Sequence, residues 1–406
     1  MHFEGVLPNS RVRYEIKLIY DLNSFQYYTL MVLYNVWQFP GAIIAVLVYN
    51  KLSLKMTIWI ASTISTIGSM IMILTAWKLP FIYIGDFLWS IVHQMIIFGA
   101  PLLATKWFED SKRDIVISFT YTVTFLAADH SFGFNTLILD NIEEGQGKNR
   151  RKALLVLFSI KAALSLFTLI VTYFTFRSKP KLPPSEAATV YRDDDILGTI
   201  RQLYSNKQFR LLAFTHILYI IAFNIMRRNL NEMIKIYHPS LSNNDNDNLK
   251  LCLTTGAVLG SISLGIFLYL TKFYKTANVW IGIWCFISWI LIPFVFKMSF
   301  TSILIAYGFI GFSSFSITPF WLIYSVEVAY PLKETTVVGI VKGIGAGISN
   351  IIGFTLYYFI KKYHEETIWT IIVSIMAVLT AFGLLIAIMI KPINYEAIRG
   401  GDICKY

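Results

Sequence analysis

The sequence predicts an all-α, polytopic membrane protein in which two helical bundles, about eleven transmembrane helices in all, flank a polar linker. Three observations predict it. Apolar runs of about 20 to 26 residues recur along the chain, each long enough to cross a hydrocarbon core of roughly 30 Å as a helix. Hydrophobic residues make up 56% of the 406 positions and charged residues only 15%, a balance that belongs in lipid rather than in water. The longest polar interruption, RSKPKLPPSEAATVYRDDDILGTIRQLYSNKQ over 177–208, divides the runs into an earlier and a later set.

Taken in order, residues 1–25 cannot span, because Arg11, Arg13, Glu15, Lys17 and Asp21 interrupt them; no signal peptide is visible, and Ile16, Ile19 and Leu22 leave room for a short interfacial helix. The first bundle covers 26–176, with spans at 26–49 (containing Pro40 and Gly41), 56–77, 79–105, 115–139 and 153–176. In the linker, Lys179, Lys181, Pro183 and Pro184 oppose a helix, whereas Ile196, Ile200 and Leu203 have helical spacing suited to the membrane surface. The second bundle covers 209–390, with spans at 209–236, 249–271, 277–297, 302–329, 335–360 and 367–390, and a polar tail fills 391–406.

The two sets look like one unit repeated. The tight basic turns YNKLSLK and TKFYKTAN are each followed by about four spans, but one span precedes the first turn and two precede the second. A doubled six-helix unit whose opening helix is lacking accounts for the odd total. The formal net charge of +11 sits in short loops between apolar runs, which suits anionic lipid and topology and gives no nucleic-acid face. The lysine and arginine bias places the linker, the tight turns and the tail in the cytoplasm; Lys148, Arg150, Arg151 and Lys152 are its main exception. Cys252, Cys285 and Cys404 lie too far apart to suggest a metal quartet or a disulfide framework.

Ionisable groups inside spans are the candidates for chemistry, because placing a charge at the bilayer centre costs about 2.5 to 3.5 kcal/mol on insertion scales. Asp86 and His93, seven residues apart, share a helix face with Trp89 between them: a proton or cation site, or a packing pair. Asp129 and His130 point about 100° apart, so both cannot face one cavity; Asp86 and Asp129 are the candidates for proton or ion coupling. Lys161, about eight residues into its span, is expected to snorkel outward. Arg227, Arg228 and Glu232 fall at the external rim, the last two at ion-pair spacing. Glu327 and Lys342, near the cytoplasmic ends of consecutive spans, are placed for a closing salt bridge, a gate. Glycines at 339, 343, 345, 347 and 353 allow close packing or bending of 335–360. The sequence holds no GxSxG, HExxH or GxxxxGK[ST], so neither a catalytic residue nor a cofactor is expected.

The doubled layout with its long central loop resembles the major facilitator superfamily. Within it, particular stretches resemble the feline leukaemia virus subgroup C receptor-related family. FWLIYSVEVAYPLKETTVVGIVKGIGAGISNIIGF from Phe320 carries Glu327, Tyr330, Pro331 and Gly339; GAP…KWF, LPPSEA, TIRQLYSNKQFRLL and GIFLYLTKFYK follow in the family's order. The resemblance implies alternating access for a small organic solute, choline- or ethanolamine-like or haem, in the plasma membrane; the solute and the bilayer are the partners expected. It implies an aromatic cage for a quaternary ammonium. Phe223 is carried over; Asn224 stands where the family has Tyr, and Phe125 and Ala346 where it has Gln. Trp89, His93, Tyr219 and Trp321 are the further residues expected on the pathway. The tight-turn signature is altered at Asn50, Ser53 and Tyr269, which weakens the expected charge lock. The competing expectation is a receptor-like or scaffold protein, derived from a transporter, that carries nothing.

Overall fold

The computed structural model describes residues 10–124, 126, 148–184, 195–238, 241, 243–363 and 366–392. Among them every regular element is helical: α1 (Ser10–Tyr20), α2 (Ser24–Lys51), α3 (Leu54–Ile73), α4 (Pro80–Trp107), α5 (113–124), α6 (Lys148–Thr175), α7 (Ile196–Ser205), α8 (Lys207–Tyr237), α9 (Asn243–Thr271), α10 (Tyr274–Val295), α11 (Phe300–Phe315), α12 (Ile317–Val328), α13 (Glu334–Tyr363) and α14 (Glu366–Met389). Nine segments among the described residues are long and apolar enough to cross a bilayer, three before the linker and six after it; α11 and α12 together make one of them. The expected span 26–49 coincides with helix α2, which is not among these nine segments, while most of 115–139 lies outside the described residues.

Local chemistry sets the helix starts. Asn23 and Gln26 form a reciprocal capping box that opens α2, Ser53 accepts from the Met56 amide to start α3, and Pro80 occupies the first turn of α4, where its missing N–H is harmless. Asn206 accepts from the Gln208 and Phe209 amides, turning the chain from the linker helix α7 into α8.

The packing repeats. In the first lobe α2 lies against α4, and α3 against α4 and α6; in the second, α9 lies against α11, and α10 against α11 and α14. These are the same pairings by position, so the doubled unit expected from the tight turns is present in the described helices. The α9–α11 pair is backbone against backbone: a Cβ on Gly256, Gly260 or Gly311 would lie 2.0 to 2.1 Å from a carbonyl oxygen across the pair.

The amino-terminal segment differs from the expected interfacial helix. Val12 and Ile16 are fully buried, and α1 packs on α2 and α6, as α8 packs on α14 in the second lobe. Charge is what hid it. Arg13 and Glu15 read as surface residues in the sequence, but they are 5% and 2% exposed, paired with Asp86 of α4 and Arg150 of α6. Lys161 also departs from expectation. It is 3% exposed, and Ser165, one turn further along the same face, bonds Thr66 and Ser69 of α3, so this face of α6 turns into the lobe instead of snorkelling outward.

Candidate functional site

The site is built where the lobes meet. Gly339, Gly343 and Gly347 recur every four residues and therefore form one stripe of α13. A Cβ on them would meet Val46, Ala42 and Phe39 of α2 respectively, so the stripe is the surface on which the lobes touch. The same seam is bridged by Thr336, which donates to Asn50 Oδ1 at 3.3 Å, and by Asn350, whose side chain donates to the Asn35 carbonyl at 2.7 Å.

At the end of the molecule that carries the linker, a second contact crosses the lobes. Lys272, in the α9–α10 turn, donates to Asp114 Oδ2 at 2.5 Å and to the Ser111 carbonyl at 3.1 Å, and the Tyr274 hydroxyl donates to the same carboxylate oxygen at 2.8 Å. Asp114 is 1% exposed, so its charge is held by these donors rather than by water. Lys272 has φ 55, the left-handed region, in which a non-glycine residue stores on the order of 1 kcal/mol or more. That turn directs its side chain at the opposite lobe. Beneath it, Tyr274 stacks on Tyr324 at 5.5 Å and Phe320 lies 5.4 Å from Tyr324.

Deeper in, His216 of α8 stacks on Trp321 of α12 with ring centroids 4.4 Å apart and planes 26° apart. Both are at least 96% buried, and among the described residues neither His216 Nδ1 nor Trp321 Nε1 has a hydrogen-bond partner. Each such group costs about 1 to 3 kcal/mol. The Nζ of Lys342 in α13 lies 5.7 Å from the ring centre of Tyr121 in α5, so the lysine bridges the lobes. His216, Trp321 and Lys342 each lie seven to nine residues from the linker-side end of their helices, a common depth of about 10 to 14 Å.

The structure brings together some of the expected residues and separates others. Trp321 and Lys342 share this region. Asn224 donates to Ser349 of α13 at 2.8 Å, and Phe223, one residue before it, is buried in the main core. Trp89 and Tyr219 instead face into their own lobes: a Cβ on Gly68 of α3 would touch the Trp89 indole, and one on Gly282 or Gly383 would strike the Tyr219 ring. His93 packs edge-on to Tyr34 of α2 at 6.3 Å. Asp86 is bound to Arg13 at 3.3 Å. Glu327 ends α12, half-buried. Phe125, Asp129 and His130 lie outside the described residues; so do the side chains of Ala346 in α13 and of Arg227, Arg228 and Glu232 in α8. The sequence reading missed His216, which looks like one more polar residue in an apolar run. It also missed the Asp114–Lys272–Tyr274 contact, whose members lie about 160 residues apart, as the hydrogen-bonded pairs record.

Two repeated helical lobes, a glycine seam and a charged contact closing one end define a multi-pass membrane protein of the major facilitator type. The family model for MFS/sugar transport proteins matches residues 111–330, more than half of the chain, and the chain belongs to that family. Among solved structures, the major facilitator superfamily transporter FucP in its outward conformation superposes with a TM-score of 0.71 over 96% of each chain at 14% identity, a likeness of fold. Among characterised relatives, the choline/ethanolamine transporter FLVCR2 of Homo sapiens is 27% identical over 71% of this chain and 56% of its own length. Its Danio rerio counterpart flvcr2a is 24% identical over 83% of this chain and 72% of its own length. The chain thus spans little more than half of the human relative.

Proposed function

We propose that the protein carries a small organic solute across a membrane by alternating access, the lobes rocking about the α2–α13 seam. The observation that carries this reading is the Asp114–Lys272–Tyr274 contact. It joins the lobes at one end through the Lys272 and Tyr274 side chains, whose bonds can part without breaking a helix, while the glycine stripe keeps α2 and α13 in touch. The solute route runs between the lobes past Trp321, Phe223 and Asn224; Phe125 and Ala346 are kept as pathway residues on the family resemblance. The linker face is cytoplasmic, in keeping with the basic turns, and the plasma membrane is the site that the family resemblance implies. Glu327 and Lys342 then stand behind the Asp114 contact as a second layer of the gate. Ion coupling through Asp129 remains part of the proposal; Asp86 is better supported as a structural anchor, given its buried pair with Arg13.

The relatives are choline/ethanolamine transporters, which makes choline and ethanolamine the first solutes to test; haem, which only the family resemblance implies, comes third. The reconstituted chain is expected to give saturable counterflow of at least one labelled solute, above empty liposomes and above an Asp114→Lys variant. If no solute moves in protein that is folded and monodisperse, transport is refuted and a receptor-like or scaffold role takes its place.

A further inference from the structure

Gln94 stands at the midpoint of the 28-residue helix α4, about 20 Å from either end and therefore near mid-membrane. It is 0% exposed, yet among the described residues neither its carboxamide oxygen nor its nitrogen has a hydrogen-bond partner. Buried polar groups are as a rule satisfied, so a carboxamide left bare at both ends calls for a ligand. Helix periodicity gives its direction. Gly85, about two and a half turns before it and so on the opposite side, faces α3, where an added Cβ would strike Met72. Phe98, one turn after it on its own face, would lie 3.0 Å from a Cβ on Gly339 of α13, and the Ile91 Cα 3.3 Å from one on Gly41 of α2. Gln94 therefore points to the side of α4 that meets α2 and the second lobe, away from the packing of α4 on α3.

A neutral carboxamide at this place has a definite selectivity. Choline and ethanolamine, the solutes of the relatives, share a hydroxyl two carbons from a cationic nitrogen. The quaternary nitrogen of choline has no N–H, so its hydroxyl is the group that an amide can hydrogen-bond, and an uncharged amide does so without repelling the cation. We propose that Gln94 is a specificity-determining residue whose carboxamide hydrogen-bonds the hydroxyl of such an alkanolamine when the solute enters the seam. The inference deepens the transport reading and takes its solute class from it, but binding tests it separately. Without solute the carboxamide adds nothing to the fold, since methionine or leucine fills a similar space with no bare polar atom.

The test uses two probes against the full chain in lipid nanodiscs: choline, and ethyltrimethylammonium, which is choline with its hydroxyl replaced by hydrogen. Binding is read as ligand-induced thermal stabilisation. The unaltered protein is expected to bind choline at least about tenfold more tightly than ethyltrimethylammonium. Gln94→Met is expected to bring the two within about twofold, by weakening choline and leaving the other probe unchanged. The ligand-free variant should unfold no earlier than the unaltered protein, which would not hold if the carboxamide served only the fold; Gln94→Leu repeats both readings with a different shape. Equal binding of the two probes by the unaltered protein overturns the inference. So does a hydroxyl preference that survives both variants, a loss of stability in both, or silence from both probes in protein that unfolds cooperatively. Counterflow separates the two readings: a hydroxyl preference that depends on Gln94 without movement of any solute sinks transport and leaves the site, and choline movement without that preference does the reverse.

Discussion

Arg13 and Asp86 show at the scale of single residues how a buried charge is tolerated. Their side chains are 6% and 0% exposed, and the 3.3 Å ion pair ties α1 to α4. Removing one partner strands the other in a low dielectric, which costs about 3 to 5 kcal/mol, whereas replacing both by apolar groups of similar size is close to neutral. Asp86→Ala is therefore expected to lower the thermal unfolding midpoint sharply, and the double change Arg13→Met with Asp86→Leu to recover most of the loss. A double variant no better than the single would show that the pair is not what holds α1. The sequence showed that Asp86 was unusual but not what satisfied it, because its partner lies 73 residues away in a segment whose charges read as solvent-facing. Lys161 was misread for a related reason. Depth along a helix follows from counting residues, but the direction of a face follows only from knowing which neighbour it packs against.

Glycine spacing carries the argument for the elements. The stripe Gly339, Gly343 and Gly347 meets α2, whereas Gly345 points elsewhere: a Cβ on it would lie 3.4 Å from Ile220 and 3.8 Å from Ile217 of α8. At Gly339 an added Cβ would lie 2.1 Å from Val46 and 3.0 Å from Phe98. Gly339→Leu is expected to wedge the lobes apart and reduce counterflow at least tenfold, and Gly345→Ala to leave it within about twofold, since that methyl group finds ordinary contact. Equal losses in the two variants would mean that the seam is not the moving surface. The nine described spanning segments and the repeated helix pairing were legible because apolar length and turn chemistry are local properties. Helix α1 was not, because its eleven residues hold too few apolar positions to declare themselves without the helices that bury them. Nor could spacing tell that Trp89 and Tyr219 fill glycine slots inside their own lobes, since that depends on glycines of other helices.

For the whole molecule the central claim is that two lobes, closed at the linker face by Asp114, Lys272 and Tyr274, part there during function. Asp114→Asn removes the charge that holds Lys272 and is expected to shift the population toward a linker-face-open form, read as faster labelling of a cysteine placed at Ser118, which is buried against Gly265 of the other lobe. Unchanged labelling would mean that the contact does not hold the lobes closed. The most direct test joins the lobes covalently. Asn50 and Thr336 face each other across the seam at 3.3 Å, and cysteines at these two positions, with Cys252, Cys285 and Cys404 replaced by serine, should form a disulfide on mild oxidation. Complete cross-linking is predicted to stop counterflow of whichever solute the protein carries, and reduction to restore it. Counterflow that continues unchanged in fully cross-linked protein would contradict the account, because the lobes would then carry solute without separating at this face.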